Sequence, residues 1–556
     1  MLRKKGVREE ALARFTNLYK DGITIPVVNN IPGNPIYNNR MSLRQGDRPS
    51  GIWFCYGIDP LIVYLEKRLQ GILVHSLPVQ GPALHGQVLP PKETRYKIQG
   101  YLDDCKPAIT TMAEFQLVDA GCKLFENSSG CRLHRDPRSD KCKVLLLGRW
   151  KGLLNQEDIP IQYLKVTDHL DYLGCKLYSD FPATRRENGE VLKKKVRDQM
   201  ASWKSGKFLP LTSRSWSLNC YTHSKLWYRA SCIDLRIGDT AAITSSVKGW
   251  MYQDLLLKPQ EVMLYRTPDL GGLGLYNVRA RCLAMLIHNF LLQAVCPSYP
   301  TNYYHNTLFR WHVLGERLVE DPGRPPYYSE QFFSVIRFVH ENTPLNLAWI
   351  TVKQWYKILL EKGVTHNTDE EDSPPIIISS RLEELYPEKD FTPSYHMSRL
   401  FGLSPEQKSF LFKMLQNLLP TKERLHRLGK QPSSSCRFCN FPEDNLEHFI
   451  VCPNSTEVTN PLLSCLSSQD ANITPRDVVH LSFHTPESWK LPAAWLIATC
   501  LSLTWDNRVQ GRSTSLVTVK TEILAQIATL RSTKWKHHSL HNSAVLLEEA
   551  INLHFV

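Results

Sequence analysis

The pattern Cys436-x2-Cys439-x8-His448-x3-Cys452 constrains this chain most, because it asks four side chains spread over residues 436–452 to converge on one point. Three thiolates and an imidazole complete a closed tetrahedral shell suited to Zn2+, and the two-residue gap between the first pair is the usual chelating turn. A closed shell leaves no position for substrate, so this spacing predicts a structural or nucleic-acid-binding centre and not a catalytic one. Lys422, Arg424, Arg427 and Arg437 lie close in sequence and offer partners for phosphate. The chain has 15 cysteines in all, an odd and scattered set without the regular spacing of a disulfide framework, which points to a reducing compartment.

A chain of 556 residues with 42% hydrophobic content can fill three or four packed cores. Its net charge of +13 and pI near 9.0 favour a polyanionic partner, nucleic acid first. The basic start at residues 1–10 is not followed by an apolar run, which excludes an ordinary signal peptide. The longest apolar stretch, about residues 491–505, contains Pro492 and is too short to span a bilayer, so it is expected to be a buried helix. Together these readings predict an intracellular protein, nuclear and/or cytoplasmic, not secreted and without a membrane partner. No internal repeat is visible, which argues against a solenoid.

Apolar spacing predicts helices over residues 1–20, 51–73 and 112–125, and strands over 96–98, 143–148 and 172–177. The Pro- and Gly-rich stretch 80–91 reads as loop, and from about 185 onwards the pattern is mainly helical. The acidic, Pro-containing stretch 369–375 is the clearest linker.

A second feature carries chemistry. In Tyr101-Leu102-Asp103-Asp104 two adjacent carboxylates stand at a tight strand turn. Their repulsion costs free energy unless a cation sits between them, which suggests divalent-metal chemistry such as nucleotidyl transfer. In chain order the sequence has Arg44-Gln45-Gly46-Asp47-Arg48-Pro49-Ser50, then the Asp pair, then residues 129–131 to 147–148, then Tyr172-Leu173-Gly174. These four blocks resemble the palm of a reverse transcriptase of the non-LTR, LINE-type retrotransposon family. That family also carries a zinc knuckle of the spacing found at 436–452.

The resemblance implies an α+β fold: an incomplete right-hand polymerase palm, a helical thumb, a helical connector and a small helical domain around the Zn knuckle. The expected boundaries are 1–184 for partial fingers and palm, 185–290 for the thumb, 291–378 for the connector and linker, and 379–556 for the C-terminal domain. It implies that Asp103 and Asp104 are catalytic, with Asp103 the direct ligand of Mg2+ or Mn2+, and that Arg44, Gln45, Gly46 and Ser50 pack under template and nucleotide. Gly46 and Pro49 would equally serve a turn and a helix start. Lys141 falls where the family has a lysine that protonates pyrophosphate. Lys143 competes for the role, and a solvated charge is the plain alternative for both. Tyr172, Leu173 and Gly174 correspond to the primer grip, or to an ordinary hairpin edge. In the thumb, Trp203, Lys204, Arg214, Asn219, Lys225 and Tyr228 suit a grip on a nucleic-acid backbone, whereas Trp203, Trp227 and Tyr228 would also suit a core. Gly271-Gly272-Leu273-Gly274-Leu275 recurs in the family but lacks the pattern of a phosphate loop. Residues 534–538 form a basic-aromatic string that most simply covers a helix surface.

The partners implied are an RNA template, a DNA primer or target DNA, and deoxynucleoside triphosphates. Two departures are expected to lower activity. Leu102 stands where the family has Ala, beside the metal site, and the family's other catalytic carboxylate, in a Phe-x-x-Asp block, would precede Leu2-Arg3-Lys4-Lys5-Gly6. The reading is therefore an RNA-directed DNA polymerase by descent, inactive alone. The alternative is a non-enzymatic remnant that binds RNA or DNA through thumb and knuckle.

Overall fold

The computed structural model describes short pieces before residue 50 and then residues 50–555, except 76–92, 102–103, 130–132, 137, 139–140, 204–208, 254, 297–300, 317–327, 343–346, 348–349, 362–382, 385, 471 and 533–537. At some element ends the backbone alone is described. Arg44, Gln45, Gly46, Leu102, Asp103, Lys204, the loop 80–91, the linker 369–375 and residues 534–537 lie outside the described residues, as does most of 1–20. Helix predominates, and the described strands pair only in twos, which is compatible with an α+β class. No described helix is long and apolar enough to cross a membrane. The chain divides into two compact units, residues 1–187 with 290–329, and residues 188–289 with 330–556.

In the first unit, helix α1 (Ser50–Arg68) buries Ile58, Leu61 and Leu65, three to four residues apart, so they form one stripe. The spacing predicts helix as far as 73, but the helix stops earlier. Gly71 has φ +73, and a Cβ there would lie 2.6 Å from the Tyr96 carbonyl oxygen, so the chain turns into strand β1 (Ile72–His75) against β2 (Glu93–Tyr96). Helix α2 (Met112–Ser129) packs on α1, where Gly121 leaves room for the Tyr64 ring. The Glu114 carboxylate ties this layer together by accepting from the amides of Gln70 (2.5 Å), Thr110 (2.6 Å) and Thr111 (3.1 Å). Burial works to raise its pKa, but these hydrogen bonds outweigh that and hold it below the usual range.

Strands β3 (Ile98–Tyr101) and β4 (Asp104–Pro107) form a hairpin in which Tyr101 pairs with Asp104. Asp104 thus opens the return strand, and Asp103, just before it, lies outside the described residues. Strand β5 covers Lys143–Leu145 and pairs parallel with β6 (Lys165–Thr167), shorter than the 143–148 expected because Gly148, at φ +57, starts a 3-10 turn. The single strand expected over 172–177 is two: β7 (His169–Tyr172) and β8 (Cys175–Tyr178), joined at Leu173 (φ 47) and Gly174 (φ 81). Two consecutive positive φ values make a type I′ turn, which alternation of apolar residues does not reveal.

Helix α3 (Phe181–Ser202) belongs to the second unit from residue 188 onwards, and there it brings Gly189 against Asp239, where a Cβ would lie 2.2 Å from the carboxylate. Helix α4 (Leu211–Ser217) runs through a π-helical turn at Leu218–His223 into α5 (Ser224–Ala230), and α6 covers Ile237–Met251. The segment Gly271–Leu275 is a junction. Its Leu273 and Gly274 carbonyls accept from Ser215 and Asn219 at 2.8 Å each, and its Gly272 carbonyl from Arg399 at 2.7 Å. Gly272 is required because a Cβ would meet the Arg266 carbonyl oxygen at 2.1 Å. This accounts for the glycines by packing, as the missing phosphate-loop pattern requires.

The largest core among the described residues lies in residues 391–555. Helix α7 (Pro405–Leu415) starts at a Ser404/Gln407 capping box, and α9 (Glu487–Val509) contains the apolar stretch read as a buried helix. Residues 493–501 of α9 are buried throughout, as expected for a helix surrounded by others. Between α7 and α9 lies the short helix α8 (Leu446–Val451), and α10 (Leu516–Ser532) and α11 (His538–His554) complete the bundle.

Candidate metal centre

Local backbone chemistry shapes the first half of the cluster. The Cys436 amide donates to the Phe441 carbonyl at 2.8 Å and the Asn440 amide to the Cys436 carbonyl at 3.0 Å, with Asn440 at φ 58. Asparagine tolerates this left-handed conformation, which turns Cys436 and Cys439 to the same side. The second half is carried by α8, whose N-cap Asn445 accepts from the His448 amide at 2.8 Å. Cys452 follows the helix directly, and Phe441 stacks on the His448 ring at 4.5 Å, nearly parallel.

The four residues read from sequence come together: Cys436, Cys439, His448 and Cys452 offer ligand atoms all within 4.8 Å of one another. Sulfur–sulfur distances are 3.8 Å for Cys436 to Cys452 and 3.9 Å for Cys439 to Cys452, and Cys439 lies 3.3 Å from His448 Nε2. A tetrahedron with Zn–S bonds of about 2.3 Å has edges of about 3.8 Å, so the donor set and its size fit Zn2+. Cys436 and Cys452 are fully buried and Cys439 is partly exposed.

Sequence reading missed the residue that completes the centre. Arg508, one residue from the end of α9 and 4% exposed, donates to Cys436 Sγ at 3.1 Å, to Cys452 Sγ at 3.3 Å and to Asp444 at 2.5 Å. Its guanidinium also lies over Phe438 and Phe449, 5.0 and 5.7 Å from their ring centres. Burial works to raise the Cys436 thiol pKa, but the Phe438 and Cys439 amides, His448 and Arg508 outweigh it and bring it down to about 6. Burial and the neighbouring sulfurs push the Cys439 thiol up. The one available signal for Arg508 is an arginine in the last turn of a mainly apolar helix, with no spacing to connect it to the cysteines.

Of the basic residues near the cluster, Arg437 is exposed and stacks over Phe438, whereas Arg427 is paired with Glu423 on its own helix.

Of the other expected site residues, the structure describes only some. The side chains of Ser50 and Asp104 are not described. The hairpin carrying Asp104 and the hairpin of Tyr172, Leu173 and Gly174 meet where Lys106 Nζ lies 5.4 Å from the Tyr172 ring centre. Lys141 is exposed, and Lys143 lies 3.7 Å from the Asp171 carboxylate. In the thumb region Arg214 is not placed to grip phosphate: it is 2% exposed and donates to the carbonyls of Leu209 (2.9 Å) and Met251 (3.0 Å). Asn219 is likewise spent on Gly274, and its Oδ1 accepts from the Tyr276 amide at 3.1 Å. Trp203 packs on Trp250 with ring centres 5.3 Å apart, Lys225 donates to Gln199, and Tyr228 is half exposed.

No family model matches the chain. The chain is similar to the Transposon TX1 uncharacterized 149 kDa protein of Xenopus laevis, at 22% identity over 349 residues, which are 59% of this chain and 23% of that protein. It spans under a quarter of that relative's length.

Proposed function

We propose that this chain is part of a transposable-element protein of the non-LTR, LINE-type class, derived from its RNA-directed DNA polymerase and carrying a Zn2+-binding knuckle that contacts nucleic acid. The observation that carries this reading is the likeness to a transposon protein in a chain whose polymerase-like blocks stand in polymerase order. The converged Cys3His shell supports the knuckle, and the net charge of +13 suits a polyanionic partner.

On this reading Asp103, with Asp104 beside it on β4, would hold Mg2+ or Mn2+, whose chemistry is activation of a primer 3′-hydroxyl and stabilisation of the leaving pyrophosphate. Arg44, Gln45, Gly46 and Ser50 would support template and nucleotide, and the Tyr172-Leu173-Gly174 turn the primer end. The meeting of the two hairpins at Lys106 and Tyr172 supports such a division of roles. Lys141, being exposed, remains free to reach a phosphate. Cys436, Cys439, His448 and Cys452 would hold Zn2+, with Arg437 on the outer face as a phosphate partner.

A second reading, nucleic-acid binding without catalysis, is favoured by Leu102, whose bulk beside the Asp pair would crowd a primer end. Primer extension on an RNA template with Mg2+ or Mn2+ separates the two. Extension that vanishes in Asp103→Ala establishes the polymerase reading. Salt-dependent RNA affinity lost in Cys436→Ser, with no extension, establishes the binding reading, and absence of both overturns the proposal.

A further inference from the structure

Resting on the Zn2+ reading of the knuckle, we propose that Arg508 divides its three sulfurs into two shielded ligands and one reactive ligand, and that Cys439 is where soft electrophiles enter the centre. The shell with Zn2+ and three thiolates carries one negative charge, and the guanidinium of Arg508 places its positive charge on only one side of it. Cys436 and Cys452 each accept an N–H from Arg508, at 3.1 and 3.3 Å, and each is buried to 1% exposure or less. A thiolate that accepts a charge-assisted hydrogen bond has part of its lone-pair density engaged, and burial denies a reagent its approach. Cys439 has neither protection: it is partly exposed, and the Arg508 contacts go to the other two sulfurs.

The asymmetry follows from how the chain is built. Arg508 comes from α9 beneath the knuckle, beside Asp444, which it holds at 2.5 Å, while Cys439 sits on the outward side of the turn next to the exposed Asn440. Arg508 is therefore a positioning residue for the two inner ligands, and it joins the metal shell to the helical core.

The reaction that tests this is Michael addition. The Cys439 thiolate adds to the double bond of a maleimide, a C–S bond forms, the resulting enolate carbon takes a proton from water, and Zn2+ loses one ligand. The full chain, with zinc content measured first, would be treated with N-ethylmaleimide over time, with peptide mass spectrometry for the site and a chromophoric chelator for released Zn2+. Cys220 and Cys232, both exposed, serve as internal references for open thiols. The expected result is that Cys439 is modified before Cys436 and Cys452 and that zinc release keeps pace with Cys439. Modification of Cys436 or Cys452 first, with zinc bound, overturns this inference and leaves the metal reading standing. Absence of zinc from the purified chain, with no thiolate charge-transfer band on adding Co2+, overturns the metal reading and the inference with it. Arg508→Lys keeps the charge but loses the fork, and is expected to weaken Co2+ affinity about 10- to 100-fold and to narrow the rate gap between Cys439 and the inner sulfurs. Because a buried Asp444 would be left poorly paired, Arg508→Met with Asp444→Asn is the second variant. Unchanged affinity and an unchanged rate gap in both variants overturn the role of Arg508.

Discussion

His223 and Gly272 show how tightly single positions in the second unit are held. His223 is fully buried on the π-helical turn, with Nδ1 3.1 Å from Asn219 Oδ1 and Nε2 without a hydrogen-bond partner. Asn219 Oδ1 also accepts from Tyr276, so it can only be an acceptor and His223 Nδ1 carries the proton. Burial pushes the imidazole down from 6.5 to about 4. The sign follows from linkage: above 6.5 both folded and unfolded states are neutral and nothing is lost. As pH falls below 6.5 the unfolded state takes up a proton first, so stability declines until about 4 and then levels. The loss is expected to reach about 3 kcal/mol and to be absent in His223→Gln, checked by urea midpoints from pH 7 to 4. At Gly272 the cost is steric. A Cβ 2.1 Å from a backbone oxygen cannot be relieved by a rotamer change, so Gly272→Ala is expected to destabilise by about 2 kcal/mol or more in urea denaturation followed by tryptophan fluorescence.

At the scale of elements, the hairpin β7–β8 carries a built-in conflict. Its type I′ turn needs positive φ at both central residues, and Leu173 pays for this while Gly174 does not. Leu173→Asn is expected to stabilise the hairpin by about 1 kcal/mol, read as slower amide exchange over residues 169–178, and Gly174→Ala to do the opposite. Helices were legible where one face or the whole circumference is apolar, as in α1, α2 and α9. Strand lengths were not, because glycines at positive φ such as Gly71, Gly148 and Gly174 end elements for conformational reasons that apolar spacing does not record. The α8 helix, only six residues long, falls below the length at which periodicity speaks, yet it delivers His448 through its Asn445 cap.

For the molecule as a whole, the candidate metal centre is anchored to the C-terminal core through Arg508 and α9, so a bound metal and the helical bundle are expected to report on each other. Stripping Zn2+ with a strong chelator should raise amide exchange across residues 436–452 and at the end of α9 around Arg508, while β3–β4 in the other unit keeps its protection. Structural zinc is worth about 10 kcal/mol to small knuckle-sized folds, enough to dominate this region. The sequence by itself determined the converging Cys3His set at 436–452, because a candidate chelating site depends on residue type and short spacing along one segment. It also determined the buried helix near 491–505, because burial on all sides needs a long run of apolar and small residues without charge. Only the tertiary structure decided that Arg508 and Asp444 finish the centre and that Arg214 is a core residue instead of a phosphate contact. Both depend on what packs against a guanidinium from far along the chain, and a charge written in a sequence carries no mark of whether it will be solvated or enclosed.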